Sequence, residues 1–146
     1  MGTIIHHNDG GRQACGYKGK RDCVVRAIAI ATQLPYKEVY EDLAALNERR
    51  NRNPYSHSAT EADPGKGHTK MRTIKDYLRS KGWEWVPVMG IGTGCRMHLR
   101  KEEVPKGRII CRVSKHMAAV IDGVIHDTYD CSSAGTRCVY GYFQKA

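Results

Sequence analysis

In the stretch RDCVVRAIAIAT, Arg21 to Thr32, a thiol stands at the head of an almost wholly apolar run. A helix built from that run is apolar around nearly its whole circumference, so it belongs in the middle of the protein with only its amino-terminal end open. Cys23 then lies at the positive end of the helix dipole, where unpaired amides favour thiolate over thiol and can pull a cysteine pKa below its free value of about 8.5. Such a thiolate is suited to attack a carbonyl carbon, and the same amides can hold the oxyanion that forms. Arg26, one turn further on the same face, is read either as support for the thiolate or contact with an acidic substrate group, or equally as an exposed or partner-satisfied arginine.

A nucleophile of this kind needs a base, and of seven histidines His116 is the informative one, in SKHMAAVIDGVIHDTYD. Asp122-Gly123 between two apolar runs is a strong signal for a two-residue hairpin turn. With those two residues as the loop, Ile121 pairs with Val124, Ala118 lies opposite Asp127, and His116 lies opposite Tyr129. Because strand side chains alternate, His116 and Asp127 share a face as diagonal neighbours, ~7–8 Å apart at the backbone. A carboxylate there can fix one imidazole nitrogen and leave the other free to take the thiol proton. Asp130 and His126 are assigned to the opposite face.

The elements that must position these groups follow from periodicity and breakers. Asp22 is the expected N-cap of a helix from Asp22 to about Gln33, its carboxylate accepting first-turn amides. Pro35 ends that helix and begins the next, Tyr36 to Arg50, with Tyr36, Val39, Tyr40, Leu43 and Leu46 at three- and four-residue spacing. A third helix is predicted from Thr69 to Lys81, with Gly82 as its stop. WEWVPVM, RIICRVS, HMAAVI, VIHDTYD and TRCVYGYF read as strands. Residues 1–20 read as a short strand or irregular arm followed by loop, and residues 51–68 as a long exposed loop that could wall a substrate cleft. Helices first and strands afterwards predict an α+β fold with an antiparallel sheet, in one domain spanning residues 1–146.

Here the residues carry a resemblance. A cysteine at the head of a buried helix, a histidine opening a strand of a carboxyl-terminal sheet and an Asp on the next strand, in the order Cys23, His116, Asp127, resemble the papain-like cysteine peptidase superfamily. The whole chain also resembles uncharacterised proteins of phages and mobile elements that share DCVVRAIAIAT, TRCVYGY and the hairpin. The DC..RAI pattern is similar to the ovarian-tumour type of deubiquitinase, although the Asp three residues before the Cys in that type is Lys20 here. The resemblance implies a papain-like fold and a thiol-dependent peptidase, or an enzyme cleaving another amide or isopeptide bond, with Cys23 as nucleophile, His116 as base and Asp127 as orienting carboxylate. It also implies an oxyanion donor beside the Cys23 amide, usually a Gln several residues upstream. The position six before Cys23 is Tyr17, and Gln13 lies ten before. Gln13 reaching round through a glycine-containing loop is the preferred donor, with a backbone amide or the Tyr17 hydroxyl as alternatives, and Tyr17 and Arg26 are assigned to substrate contact.

Composition bounds the remaining possibilities. Lys plus Arg number 24 against 15 Asp plus Glu, a formal net charge of +9, which biases the surface towards nucleic acid, acidic proteins or anionic lipid. The basic residues Arg49, Arg50, Arg52, Lys66, Lys70 and Arg72 form the candidate patch for nucleic acid, and a non-catalytic phage factor binding host protein or nucleic acid through such a face is the competing function. No run approaches the ~20 apolar residues of a membrane span. The amino terminus lacks a signal-peptide pattern, and Met-Gly is not followed by the Ser or Thr of a myristoylation signal, so the expected setting is reducing cytoplasm, that of the host if phage-encoded. Six irregularly spaced cysteines do not make a disulfide scaffold. Cys95, Cys111, Cys131 and Cys138 are expected to be structural thiols, with no metal and no organic cofactor, because no Cys-x-x-Cys pair accompanies His98 or His126.

Overall fold

The computed structural model describes residues 4–17, 22–51, 64, 69–90 and 92–146. Among them are three helices, α1 (Cys23–Thr32), α2 (Tyr36–Asn51) and α3 (Met71–Ser80), and six strands, β1 (Ile4–His7), β2 (Trp83–Pro87), β3 (Arg108–Val113), β4 (His116–Ile121), β5 (Val124–Asp127) and β6 (Gly141–Lys145). The strands form one sheet in the order β1-β5-β4-β3-β6-β2. The chain is α+β, with its helices in the first part and most of its strands in the second, as expected.

The sheet is mixed, where an antiparallel one was expected. β1 lies parallel to β5, pairing Ile4 with Val124 through to His7 with Asp127. The beginning of the chain, read as a strand or an arm, thus supplies the edge strand beside the Asp-bearing strand, and a turn at residues 10–16 follows it. The Asn8 amide extends that pairing by donating to the Asp127 carbonyl at 2.9 Å. The segment 136–140 carries an isolated bridge, His98 to Cys138, and the last strand proper begins only at Gly141. There a Cβ would stand 2.4 Å from the Trp85 ring, so the close approach of β2 requires glycine. The expected loop at residues 51–68 lies outside the described residues, apart from Asn51 at the end of α2 and the buried Pro64.

The hairpin forms in the expected register, Ala119 opposite His126, Val120 opposite Ile125 and Ile121 opposite Val124. Asp122 and Gly123 both adopt positive φ, 50° and 81°, the pair of left-handed conformations that a two-residue turn needs to match the twist of its strands. The Asp122 side chain adds an acceptor for the Gly107 amide at 2.8 Å.

Alternation along β3 and β4 divides the core in two. Ile110, Met117 and Ala119 pack with α1, α2 and α3, in a cluster with Val25, Ile28, Leu43, Ile74, Leu78 and Phe143. Ile109, Cys111, Val113, Ala118 and Val120 face the other way, under Leu99, Val104, Cys131 and Val139 from the long connections. A sheet covered on both sides explains why HMAAVI is apolar without alternation. Helix α1, buried from Val24 to Ala31, lies against β4, β3 and β5. Among the described residues no helix is long and apolar enough to cross a membrane.

Candidate functional site

Three element ends meet at one place. Cys23 is the first residue of α1, His116 the first of β4 and Asp127 the last of β5. His116 Nε2 donates to Asp127 Oδ2 at 2.7 Å, and both side chains are buried. Asp127 is held in turn by the Thr128 amide at 2.7 Å and by Arg26 Nη2 at 3.1 Å, both donating to Oδ1. With Nε2 committed to the carboxylate, Nδ1 is the nitrogen left for proton exchange, and the Tyr129 hydroxyl lies 3.2 Å from it. The Cys23 thiol lies beside His116 and the Met117 amide, both of which favour its thiolate form. The three residues singled out from the sequence are therefore brought to one place, with His116 between the thiol and the carboxylate, through a hairpin that carries His116 and Asp127 on one face.

A second thiol reaches the same imidazole. Cys131 is buried, and its sulfur lies within 4.8 Å of donor atoms of both His116 and Asp127. One imidazolium can stabilise one thiolate, and the surroundings decide which. Burial raises the pKa of both sulfurs, but at Cys23 this is outweighed by the His116 bond and charge, the Met117 amide and the positive charge of Arg26, so its pKa is lowered. At Cys131 the negative Asp127 opposes ionisation and the pKa is raised. The anion therefore belongs on Cys23. His116, despite a burial that disfavours its charge, is pushed up to about 12 by Asp127 and the two thiols.

These shifts fix a pH profile for stability. In the unfolded chain His116 deprotonates near pH 6.5 and Cys23 near pH 8.5. Between those values both states carry one proton on the pair, so the pair contributes no slope. Above about pH 8.5 the folded chain alone keeps the imidazolium proton, and stability falls as pH rises. Below about pH 6.5 the unfolded chain binds more protons than the folded one, and stability falls as pH drops through the lowered thiol value. His126, whose pKa burial lowers, acts in the same direction on the acid side. A urea midpoint that is level from about pH 6.5 to 8.5 and lower on both sides is the expected result. A midpoint that climbs steadily from pH 8.5 to 10 would remove the ion pair.

Other assignments change. Asp22 was expected to cap α1, but its side chain makes no cap hydrogen bond. Fully buried, it is bonded by Arg26, by Arg12 Nη1 at 2.9 Å and by the Tyr36 hydroxyl at 2.5 Å. Arg26 is 3% exposed and clamped between Asp22 and Asp127. It cannot contact substrate and instead ties α1 to the carboxylate that orients His116. Tyr17 is half-buried, with its ring stacked on Tyr40 at 4.2 Å and packed against Tyr36 at 5.5 Å. Gln13 lies in the turn at residues 10–16 with its side chain exposed and, among the described residues, without a hydrogen bond to the thiol or to His116. The residues missed by sequence reasoning are Arg12, Asp22 and Cys131. Tyr129 was placed opposite His116 by the hairpin register but given no part.

Cys95 and Cys138, expected as free thiols, form a disulfide. Of the basic patch, Arg49 on α2 and Arg72 on α3 are exposed and Lys70 precedes α3, whereas Arg52 and Lys66 and the side chain of Arg50 lie outside the described residues. A cleft of about 360 Å³ between α2 and α3 is lined by Asp42, Arg49, Asp76 and Lys81 among others, and includes none of the residues around Cys23. Compared with family models, with curated proteins and with solved structures, the chain matches none.

Proposed function

We propose that this chain is a thiol-dependent hydrolase of papain-like type, cleaving a peptide or other amide or isopeptide bond. The observation that carries the reading is the placement of a thiol at the head of a buried helix beside an imidazole whose Nε2 is 2.7 Å from a buried carboxylate. Cys23 Sγ attacks the carbonyl carbon, and first-turn amides at the start of α1, that of Cys23 among them, receive the oxyanion. His116 Nδ1 passes its proton to the departing nitrogen, leaving an acyl-thioester. Water then attacks that thioester as His116 takes one of its protons, and the thiolate leaves as a carboxylic acid is formed. Asp127 holds the imidazole in the tautomer this exchange requires. Tyr129, 52% exposed, stands over Nδ1 and borders the approach to it. No cofactor enters these steps.

The test uses the molecule's own control. Cys15 is exposed and Cys23 half-buried, so simple accessibility favours Cys15. Treated at pH 6 with a peptidyl vinyl sulfone or epoxide and mapped by mass spectrometry, Cys23 is expected to be modified first, and Cys23→Ser to abolish turnover of a fluorogenic peptide amide. Modification in the order of exposure would overturn the reading and leave contact through a basic surface as the better account of the +9 charge.

A further inference from the structure

We propose that the chain, when its Cys95–Cys138 disulfide is reduced, binds one zinc ion through Cys95, His98 and Cys138. The donor atoms of these three residues all lie within 4.8 Å of one another. A tetrahedral zinc site needs donors roughly 3.3–3.8 Å apart, so small side-chain movements suffice. The framework is already paired. His98 and Cys138 are partners in an antiparallel bridge, flanked by the Leu99 amide donating to the Arg137 carbonyl and the Val139 amide to the Met97 carbonyl, both at 2.8 Å.

A second observation concerns His98 itself. Its Nδ1 is 3.1 Å from Glu103 Oε1, which also accepts the His98 backbone amide at 3.0 Å. Arg100 fixes the other carboxylate oxygen at 3.0 Å. A carboxylate on one imidazole nitrogen is the arrangement that orients a histidine to offer the other to a metal and makes it a better donor, and here Nε2 is the nitrogen left over. Cys95 is exposed and the other two are half-buried, so a fourth position is open to water. The two thiolates balance the charge of the ion.

The disulfide and the metal exclude each other. A dithiol reductant transfers two electrons and two protons to the S–S bond and is itself oxidised to a disulfide. Zinc then displaces both thiol protons as it binds. In reverse, a disulfide or peroxide oxidant removes two electrons from the thiolates, forms the S–S bond and expels the ion. Through Arg137, which donates to the Cys131 carbonyl at 3.2 Å and to the Ser114 carbonyl, this segment also braces the strand ends beside His116.

The experiment titrates the full reduced chain with zinc alone against a chromophoric chelator, and with cobalt to read thiolate charge-transfer and tetrahedral bands. The other cluster of donor atoms, His116, Asp127 and Cys131, is the rival site, so a Cys131→Ser chain is titrated in parallel. One equivalent should bind to both, with no binding by the oxidised chain, loss in Cys95→Ser and in Cys138→Ser, and at least tenfold weaker binding in His98→Ala. The far-ultraviolet circular dichroism of the reduced chain should match that of the oxidised one. Absence of binding by the reduced chain, binding retained in the cysteine variants or lost in Cys131→Ser, or collapse of the fold on reduction each overturns the proposal.

Discussion

Replacing His116 with Ala should slow alkylation of Cys23 by tenfold or more at pH 5.5 and much less near pH 8. In the parent chain the imidazolium and the Met117 amide keep the sulfur ionised below the range of an ordinary thiol. In the variant the imidazolium is gone, while burial, which raises the thiol pKa, remains and is opposed only by the Met117 amide and the more distant charge of Arg26. An unassisted thiol with a pKa of about 8.5 is ionised to roughly one part in a thousand at pH 5.5. A more basic thiolate is intrinsically more nucleophilic, by about 0.4–0.5 log units per pKa unit, which returns part but not all of that deficit. The parent rate should therefore level off in mild acid, where the variant rate still climbs about tenfold per pH unit. Iodoacetamide with mass-spectrometric readout of the Cys23 peptide measures both, and the exposed Cys15 should follow one curve in the two proteins. Coincident Cys23 profiles would mean that the imidazole does not hold the thiolate.

How much of this arrangement was legible in the sequence depends on the range of the signal. The hairpin was, because Asp122-Gly123 imposes a turn whose geometry admits one register, and register alone brings Asp127 under His116. Helix α1 was as well, since an apolar circumference has few places to go. Asp22 was misread because a carboxylate one residue before a helix is ordinarily a cap, and nothing local reveals that Arg12, Arg26 and Tyr36 converge on it. Those partners depend on how β1 and the turn after it return across α1, where Gly10 lets the backbone approach Arg26 closely. The parallel pairing of β1 with β5 joins segments more than a hundred residues apart, and IIHH alone carries no sign of it. Cys131 and the Cys95–Cys138 bond belong to connections without periodicity, and neither apolar patterning nor turn chemistry specifies where such segments lie. The short-range parts of the site could be read, then, and the parts that depend on loop packing could not.

That buried framework carries the second large effect, a loss of about 3–5 kcal/mol in Asp22→Ala. Arg12, Arg26 and protonated His116 are matched by Asp22, Asp127 and the Cys23 thiolate, so the chain of contacts is neutral as a whole. Removing Asp22 leaves Arg26, itself 3% exposed, with Asp127 as its one acidic partner among the described residues, and takes from the Tyr36 hydroxyl its acceptor. A buried charge stripped of one partner costs about 3–5 kcal/mol, which at a urea m-value of about 1–3 kcal/mol/M moves the midpoint by one molar or more. Tyr36→Phe, which removes one hydrogen bond and no charge, should cost about 1–2 kcal/mol. The distinguishing variant is the double change Asp22→Asn with Arg26→Met, which removes one charge of each sign together. Replacing a buried pair costs less than breaking it, so the double variant should be more stable than Asp22→Ala. It should nevertheless show a slower Cys23 reaction at acid pH, because Asp127 then lacks the Arg26 bond that steadies the partner of His116. If Asp22→Ala instead costs under about 1 kcal/mol, the network is not what holds α1 to the end of β5, and the position of Cys23 must be attributed to the apolar packing of its helix alone.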